Sequence, residues 1–381
     1  MHYAIVTETY PPEVNGVALT IQSLEHGLRQ RGHRVSLVRP RQDGAAPADA
    51  DHLLVGGVAL PGYPGLRAGL PSPGPIAAAW RHARPDAVYI ATEGPLGWSA
   101  LRTARRLGIP AATGFHTRFD TYMRDYRLPW MEPVALGWMR RFHNQADATL
   151  VPTRDLQMAL RAQGFRRPRV LPRGVDTVLF DPVRRSAAVR EGLGVAPDAP
   201  LLIHVGRLAA EKNLSLALCA FRRLQVRRPD ARMVWIGDGP LRERMRRENP
   251  DCVFAGTLRG EALARQFASA DLFVFPSLSE TFGNVTLESM ASGVPVVAYD
   301  YGAAREHLIH GAHGAAIPCG DESAFVAAVT ALGSDMPRLA AMGRSARVAV
   351  AGLSPAQVAA EFDRLLAGLR DGQRPHAHLA A

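Results

Sequence analysis

Two glutamates are the only charged residues in SETFGNVTLESMASGVPVV, residues 279–297, and they bracket a glycine. The preceding LFVFPS (272–277) reads as a strand. A helix is expected to start near Gly283 or Asn284 and run to Ser292, with Gly293 and Pro295 ending it. The first amides of a helix have no internal partner and attract anions, and a glycine lets an anion approach the backbone closely. FGNVT (282–286) is therefore expected to cradle a diphosphate, with Gly283 allowing the close approach. A carboxylate would repel such a group, so Glu288 is read as accepting hydroxyls of a ribose and Glu280 hydroxyls of a sugar. The same spacing is also met if Glu280 caps the helix and Glu288 pairs with an arginine.

Positive charge to balance a diphosphate is offered by HVGRLAAEKNL (204–214), with Arg207 just past a strand and Lys212 at the next helix start. Ligands of open α/β sheets bind at the carboxyl ends of the strands, so these two could clamp phosphates and stabilise a departing diphosphate. Lys212 is the only lysine among 45 basic residues, which hints that a compact ammonium is needed there; a surface pair with Glu211 is the alternative. TYPPEVNGVALTIQSL (9–24) is a strand-end loop feeding a helix, and its Gly16 allows close approach of a phosphate or sugar. GFHTRFDTYMRDY (114–126) puts His116 directly after a strand, facing a ligand or satisfying local backbone groups. DAD (49–51) has the form of a metal-binding Asp-x-Asp but lies in an Ala/Pro-rich loop, so it is read as surface, and no metal is expected. WMEPVALGWMRRFHNQ (130–145) places Met131, Ala135, Trp138 and Phe142 on one face. That face is expected to pack on the sheet, an interfacial membrane helix being the alternative.

These residues need sheets to hold them, and the chain spells two series of strands. The first runs through YAIVTET (3–9), a helix near 18–31, RVSLV (34–38), AVYIAT (87–92), IPAATGF (109–115) and ATLVPT (148–153). The second runs through PLLIHVGR (200–207), RMVWIGDG (232–239), CVFAG (252–256), LFVFPS and VPVVAYD (294–300). At 381 residues with 47% hydrophobic content, two soluble α/β domains with parallel sheets are expected. We place the hinge in the Pro/Gly-bounded stretch 171–200, giving domains 1–190 and 191–354. Short helices follow residue 300, a helix over 355–370 is expected to return to the first domain, and 371–381 is expected to be mobile. Three cysteines without CxxC spacing give neither a disulfide framework nor a zinc site and fit a reducing cytosol. No apolar run reaches the length of a membrane span. Net charge is +10; residues 1–195 hold 25 basic and 16 acidic residues (+9), leaving 20 and 19 (+1). That asymmetry fits an anionic surface facing the first half, or an arginine-rich composition alone.

Taken in order, PPEVNGV, FHTRFD, RGVD (173–176), VGRLAAEKNL, IGDGP and SETFGNVTLESMASGVPVVA resemble the retaining glycosyltransferases of family 4, and the resemblance covers nearly the whole chain. It implies the GT-B architecture, two Rossmann-like domains with parallel sheets facing across a cleft. It also implies transfer of a hexosyl group from a nucleotide sugar without cofactor or metal. The roles it implies are Glu280 on donor-sugar hydroxyls, Glu288 on the nucleotide ribose, and Gly283, Asn284 and Val285 on the diphosphate. Arg207 and Lys212 neutralise the leaving group, Gly16 lies against the donor phosphate, and His116 touches the transferred sugar near its reacting carbon. Reaction is expected on the front face, with the leaving phosphate helping to deprotonate the acceptor.

RGVD departs from the NGVD common in much of the family. It is closer in wording to members that glycosylate lipids, among them GDP-mannose-dependent mannosyltransferases and glycolipid synthases. The expected partners are a nucleotide sugar (GDP-mannose before a UDP-sugar), a lipid or glycan acceptor, and an anionic membrane touched from the cytoplasmic side, with no nucleic acid. A nucleotide-sugar epimerase of the same architecture and a non-catalytic polyanion-binding protein are the competing readings.

Overall fold

The computed structural model describes residues 1–13, 15–42, 51–59, 67–116 and 132–370. The chain divides into two compact units, one made of Met1–Arg173 and the chain from Pro355 onward, the other of Gly174–Ser354.

In the first unit, strands β1 (His2–Val6), β2 (Arg34–Pro40) and β3 (His52–Val55) are followed by an antiparallel pair, β4 (Gly57–Ala59) and β5 (Arg67–Gly69). Strands β6 (Ala87–Ile90), β7 (Ala111–Gly114), β8 (Ala148–Val151) and β9 (Pro168–Val170) complete a seven-stranded parallel sheet in the order β3-β2-β1-β6-β7-β8-β9. Helices α1 (Gly16–Gln30), α2 (Pro73–His82), α3 (Pro95–Arg106), α4 (Glu132–His143) and α5 (Arg154–Ala162) alternate with the strands. The strands are short apolar runs buried on both sides, AVYI and ATLV among them, as a helix-covered parallel sheet requires. One sheet face buries Tyr3, Ile5 and Tyr89; the other buries Trp80, Leu96 and Phe142.

The second unit contains α6 (Ala187–Gly192), β10 (Leu201–Val205), a 3-10 turn at Ala210–Lys212, α7 (Leu214–Gln225), β11 (Arg232–Ile236), α8 (Arg242–Glu248) and β12 (Val253–Gly256). It continues through α9 (Gly260–Ser269), β13 (Leu272–Phe275), α10 (Asn284–Ala291), β14 (Val296–Tyr299), α11 (Gly302–His307), β15 (Gly314–Ile317), α12 (Glu322–Gly333) and α13 (Met336–Val350). Its parallel sheet runs β12-β11-β10-β13-β14-β15. The order of each sheet reverses once, at β1/β6 and at β10/β13. Those reversals open the crevices in which α/β sheets take ligands.

The last helix, α14 (Pro355–Arg370), belongs to the first unit, where Phe362 and Leu366 are fully buried with Tyr3 and Tyr89. A side chain at Gly27 of α1 would sit 2.3 Å from the Cβ of Ala359, so the two helices meet at backbone distance. Asp363 fixes the register by accepting from Tyr3 Oη at 2.7 Å and Arg31 Nη2 at 2.9 Å.

Several expectations need correction. The units divide at Arg173/Gly174, not near 190, because Val175 and Phe180 bury into the second core, where Phe180 meets the Phe267 ring at 6.0 Å. Proline and glycine marked turns there, but apolar content decides which unit a segment joins. The helices after residue 300 include α12 with 12 residues and α13 with 15, so they are not all short. Strands β3, β9 and β15 were not read from the sequence; PRV and GAAI are brief and carry little β-branched signal. On α4 the buried residues are Met139, Phe142 and His143, whereas Trp138 is 53% exposed and meets the Trp98 ring at a tilt of 49°, with centroids 4.8 Å apart. Met131 lies outside the described residues, as do residues 371–381.

Candidate active site

In the second unit, β13 ends at Phe275, and the chain turns through Ser277 and Glu280 before Gly283 opens α10. Gly283 holds φ +91°, a left-handed conformation that a side chain adopts only under strain. It caps α10 with no side-chain hydrogen bond, so Glu280 does not cap this helix. Among the described residues the amides of Asn284 and Val285 have no acceptor, while that of Thr286 donates to the Gly283 carbonyl at 3.0 Å. Two free amides at a helix start form the anion-seeking end described for such turns.

Glu280 is instead paired with Lys212, and its Oε1 also accepts from Ser277 Oγ at 2.9 Å. The Lys212 ammonium lies 5.7 Å from the centre of the Phe275 ring. Tyr301 Oη donates to the Ser277 carbonyl at 2.7 Å, and the Leu278 amide donates to the Glu211 carbonyl at 2.9 Å. These bonds tie the strand-end loop to the 3-10 turn carrying Lys212. Glu280 lines a cavity of about 10 Å³ together with Ser277, Thr286 and Tyr301, among others. That is about the room one water needs. Arg207 Nη1 is 4.0 Å from Glu211 Oε1, the neighbour expected in the alternative reading of this segment.

Glu288 sits half-buried on α10. Burial alone pushes its carboxyl up to about 7, and no arginine pairs with it among the described residues. The structure thus groups Lys212, Glu280, Ser277 and the α10 start. Ser277 and Tyr301 were missed by sequence reasoning; Ser277 carried the only available signal, a hydroxyl at a strand end next to SE.

In the first unit, Gly16 begins α1, and Asn15 caps that helix by accepting from the Ala18 amide at 2.8 Å. His116 follows β7 and is held from both sides. Arg173 Nη2 lies 2.6 Å from Nδ1, and Tyr89 Oη lies 2.7 Å from Nε2. Burial lowers the His116 pKa well below the ordinary histidine value, and the Arg173 charge lowers it further. Burial also raises the Tyr89 phenol and lowers the Arg173 guanidinium. Neither Tyr89 nor Arg173 had been given a role from the sequence, although RGVD was quoted. His116 meets side chains here rather than the local backbone groups of the alternative reading.

Asp51 of DAD pairs with Arg34 at 2.8 Å, and residues 49 and 50 lie outside the described residues. The described residues hold no group of three or more His, Cys, Asp or Glu able to bind a metal. Within them, no helix is long and apolar enough to cross a membrane.

Residues 14–179 match Glycosyltransferase Family 4, and residues 199–335 match Glycosyl transferases group 1. A GDP-mannose-dependent alpha-mannosyltransferase of Mycolicibacterium smegmatis is 36% identical over 341 residues, 87% of this chain and 88% of that protein. The GDP-mannose-dependent alpha-(1-6)-phosphatidylinositol monomannoside mannosyltransferase of the same organism is 30% identical over 370 residues, 90% of this chain and 92% of that one. The fold matches that of sucrose-phosphate synthase from Thermosynechococcus elongatus with a TM-score of 0.78 at 20% identity, covering 98% of this chain and 100% of that one. With two parallel-sheet α/β units, the motifs in order and relatives along most of its length, the chain belongs to the family 4 glycosyltransferases of GT-B fold.

Proposed function

We propose that this glycosyltransferase moves a mannosyl group from GDP-mannose to a lipid or lipid-linked glycan, with retention at the anomeric carbon and without a metal. The observation carrying the reading is the pairing of Lys212 with Glu280 beside the unbonded amides of α10. One small site then offers an ammonium, a carboxylate and two N–H donors, a set suited to a sugar joined to a diphosphate. The mannosyltransferase relatives support the choice of donor, and the phosphatidylinositol mannoside named for one of them supports a lipid acceptor.

In this reading the diphosphate rests on Gly283, Asn284 and Val285. Arg207 and Lys212 neutralise it as the sugar bond breaks, which supplies the charge a metal would otherwise bring. Glu280 accepts sugar hydroxyls, Glu288 ribose hydroxyls; Gly16 adjoins the donor phosphate and His116 the transferred sugar. The lipid acceptor is met at an anionic membrane on the cytoplasmic side.

A donor panel of GDP-mannose and UDP-glucose, incubated with membrane lipid extract, tests this by mass analysis of the product and NMR of its anomeric linkage. An α-mannosyl lipid is expected. Transfer from UDP-glucose alone would overturn the donor, and a β linkage would overturn retention. Glu280→Gln should lower kcat about 100-fold. Because it also releases Lys212 from its ion pair, GDP should bind at least as tightly as to the parent; unchanged turnover removes Glu280 from the sugar site.

A further inference from the structure

The RGVD segment brings a guanidinium against the histidine expected at the transferred sugar. Arg173 Nη2 and His116 Nδ1 are 2.6 Å apart, and among the described residues no carboxylate neutralises Arg173. A guanidinium has N–H donors and no acceptor, so Nδ1 must present its lone pair. A neutral ring then carries its proton on Nε2, which donates to Tyr89 Oη at 2.7 Å. Both ring nitrogens are therefore occupied.

The surroundings enforce this arrangement. A Cβ at Gly114 would fall 2.2 Å from Tyr89 Oη and 2.5 Å from His116 Nε2, so only glycine leaves room for the pair. The Tyr89 ring is held edge-on by Phe362 of α14, with centroids 4.9 Å apart. Among the described residues, the charged or titratable groups facing His116 are Arg173, Tyr89 and, behind it, His143. Arg173 disfavours the imidazolium by like charge, and buried His143 is itself held neutral by desolvation, down to about 3.

We propose that Arg173 is a positioning residue that locks His116 as the neutral Nε2–H tautomer and so bars it from acting as a general base. The ring contributes shape and a fixed edge beside the sugar, and the acceptor proton leaves by another route. The RGVD wording thus marks a different proton inventory from NGVD, because asparagine is uncharged and exerts no like-charge repulsion on the imidazolium. The catalytic half of this proposal rests on the glycosyltransferase reading; the tautomer does not.

The test uses the full chain labelled with ¹⁵N-histidine and long-range ¹H–¹⁵N correlation, His116 being identified by the signal lost in His116→Gln. His116 should show an unprotonated Nδ1 and a protonated Nε2, unchanged from pH 5.5 to 8. A proton on Nδ1, or titration near the ordinary histidine pKa, would overturn the proposal even if no sugar transfer were detected. Arg173→Asn removes the like charge but not the burial, so it should let the Nδ1–H tautomer become populated and raise the His116 pKa part of the way toward the ordinary value, with the KM for GDP-mannose within about twofold of the parent. Arg173→Lys, which keeps a cationic donor, should retain the parent tautomer and pH profile. An Arg173→Asn enzyme with the parent tautomer would equally overturn it.

Discussion

Glu288 is the candidate donor-binding residue whose chemistry its surroundings visibly change. Burial raises its carboxyl from 4.5 to about 7, so near neutrality the group is divided between acid and carboxylate. Hydroxyl donors from a ribose stabilise the carboxylate, so nucleotide binding should draw the pKa down and release a proton. GDP affinity measured calorimetrically should rise about tenfold per pH unit from pH 5.5 toward 7 and level off above it. In Glu288→Gln it should be weaker and flat; a flat profile in the parent would detach Glu288 from the ribose. The folding consequence has the opposite sign. A raised acid pKa leaves stability unaffected below 4.5, erodes it between 4.5 and 7, and leaves it lowest above 7. Glu288→Gln should accordingly raise Tm at pH 8 and leave it unchanged at pH 4. The sequence placed Glu280 and His116 just past strands, Lys212 at the next helix start and Glu288 within the helix after Gly283, as the structure has them, because strand ends and glycines are local signals. It did not reveal that Lys212 reaches across to Glu280 or Arg173 to His116, since partners 68 and 57 residues apart leave no local pattern.

At the scale of elements, the segment 174–190 shows how a region that reads as a hinge becomes part of a domain. Arg190 of α6 is buried and donates to Asp271 Oδ2 at 2.8 Å and to the Ala199 carbonyl at 2.6 Å. Arg185 reaches Asp271 Oδ1 at 2.7 Å, and the Leu201 amide donates to Oδ2 at 2.8 Å. One buried carboxylate thus ties α6 and its approach to the starts of β10 and β13. Removing it leaves Arg190 buried without its counter-charge, so Asp271→Ala should cost about 3–5 kcal/mol in denaturant unfolding. Arg185, half in solvent, should cost about 1 kcal/mol or less when changed to Ala. Equal, small losses would show that the segment is only draped on the unit. Most parallel strands were legible from their apolar runs, and α14 was read at its observed limits. Three of the four edge strands of the parallel sheets, β3, β9 and β15, were not, because each gains order from a single neighbour rather than from its own composition; the fourth, β12, was read from its apolar CVFAG.

Over the whole molecule, the basic excess of the first half has a place in the fold. Each of α1 to α5, and α14, has arginine in its last turn, where the helix dipole favours cations. Helices of a βαβ sheet run antiparallel to the strands, so this charge gathers at the edge where strands begin, away from the edge bearing Gly16 and His116. Charge alone therefore does not bring a membrane to the edge of that sheet where the strands end. Helix α4 offers a different contact: Val134 and Trp138 are 67% and 53% exposed, and Arg141, also exposed, shares their face at helical spacing. Two apolar side chains and a cation along one exposed face are what an interfacial helix presents to anionic lipid. If the proposed lipid acceptor is met in this way, Trp138 fluorescence should shift to the blue on adding anionic vesicles. Val134→Ser with Trp138→Ser should reduce sedimentation about tenfold or more, with GDP binding unaffected. Replacing Arg102, Arg105 and Arg106 by glutamine should weaken sedimentation only at low salt, where screened long-range attraction counts. Sedimentation lost with the three arginines and kept without Val134 and Trp138 would transfer the membrane contact from α4 to the charged edge.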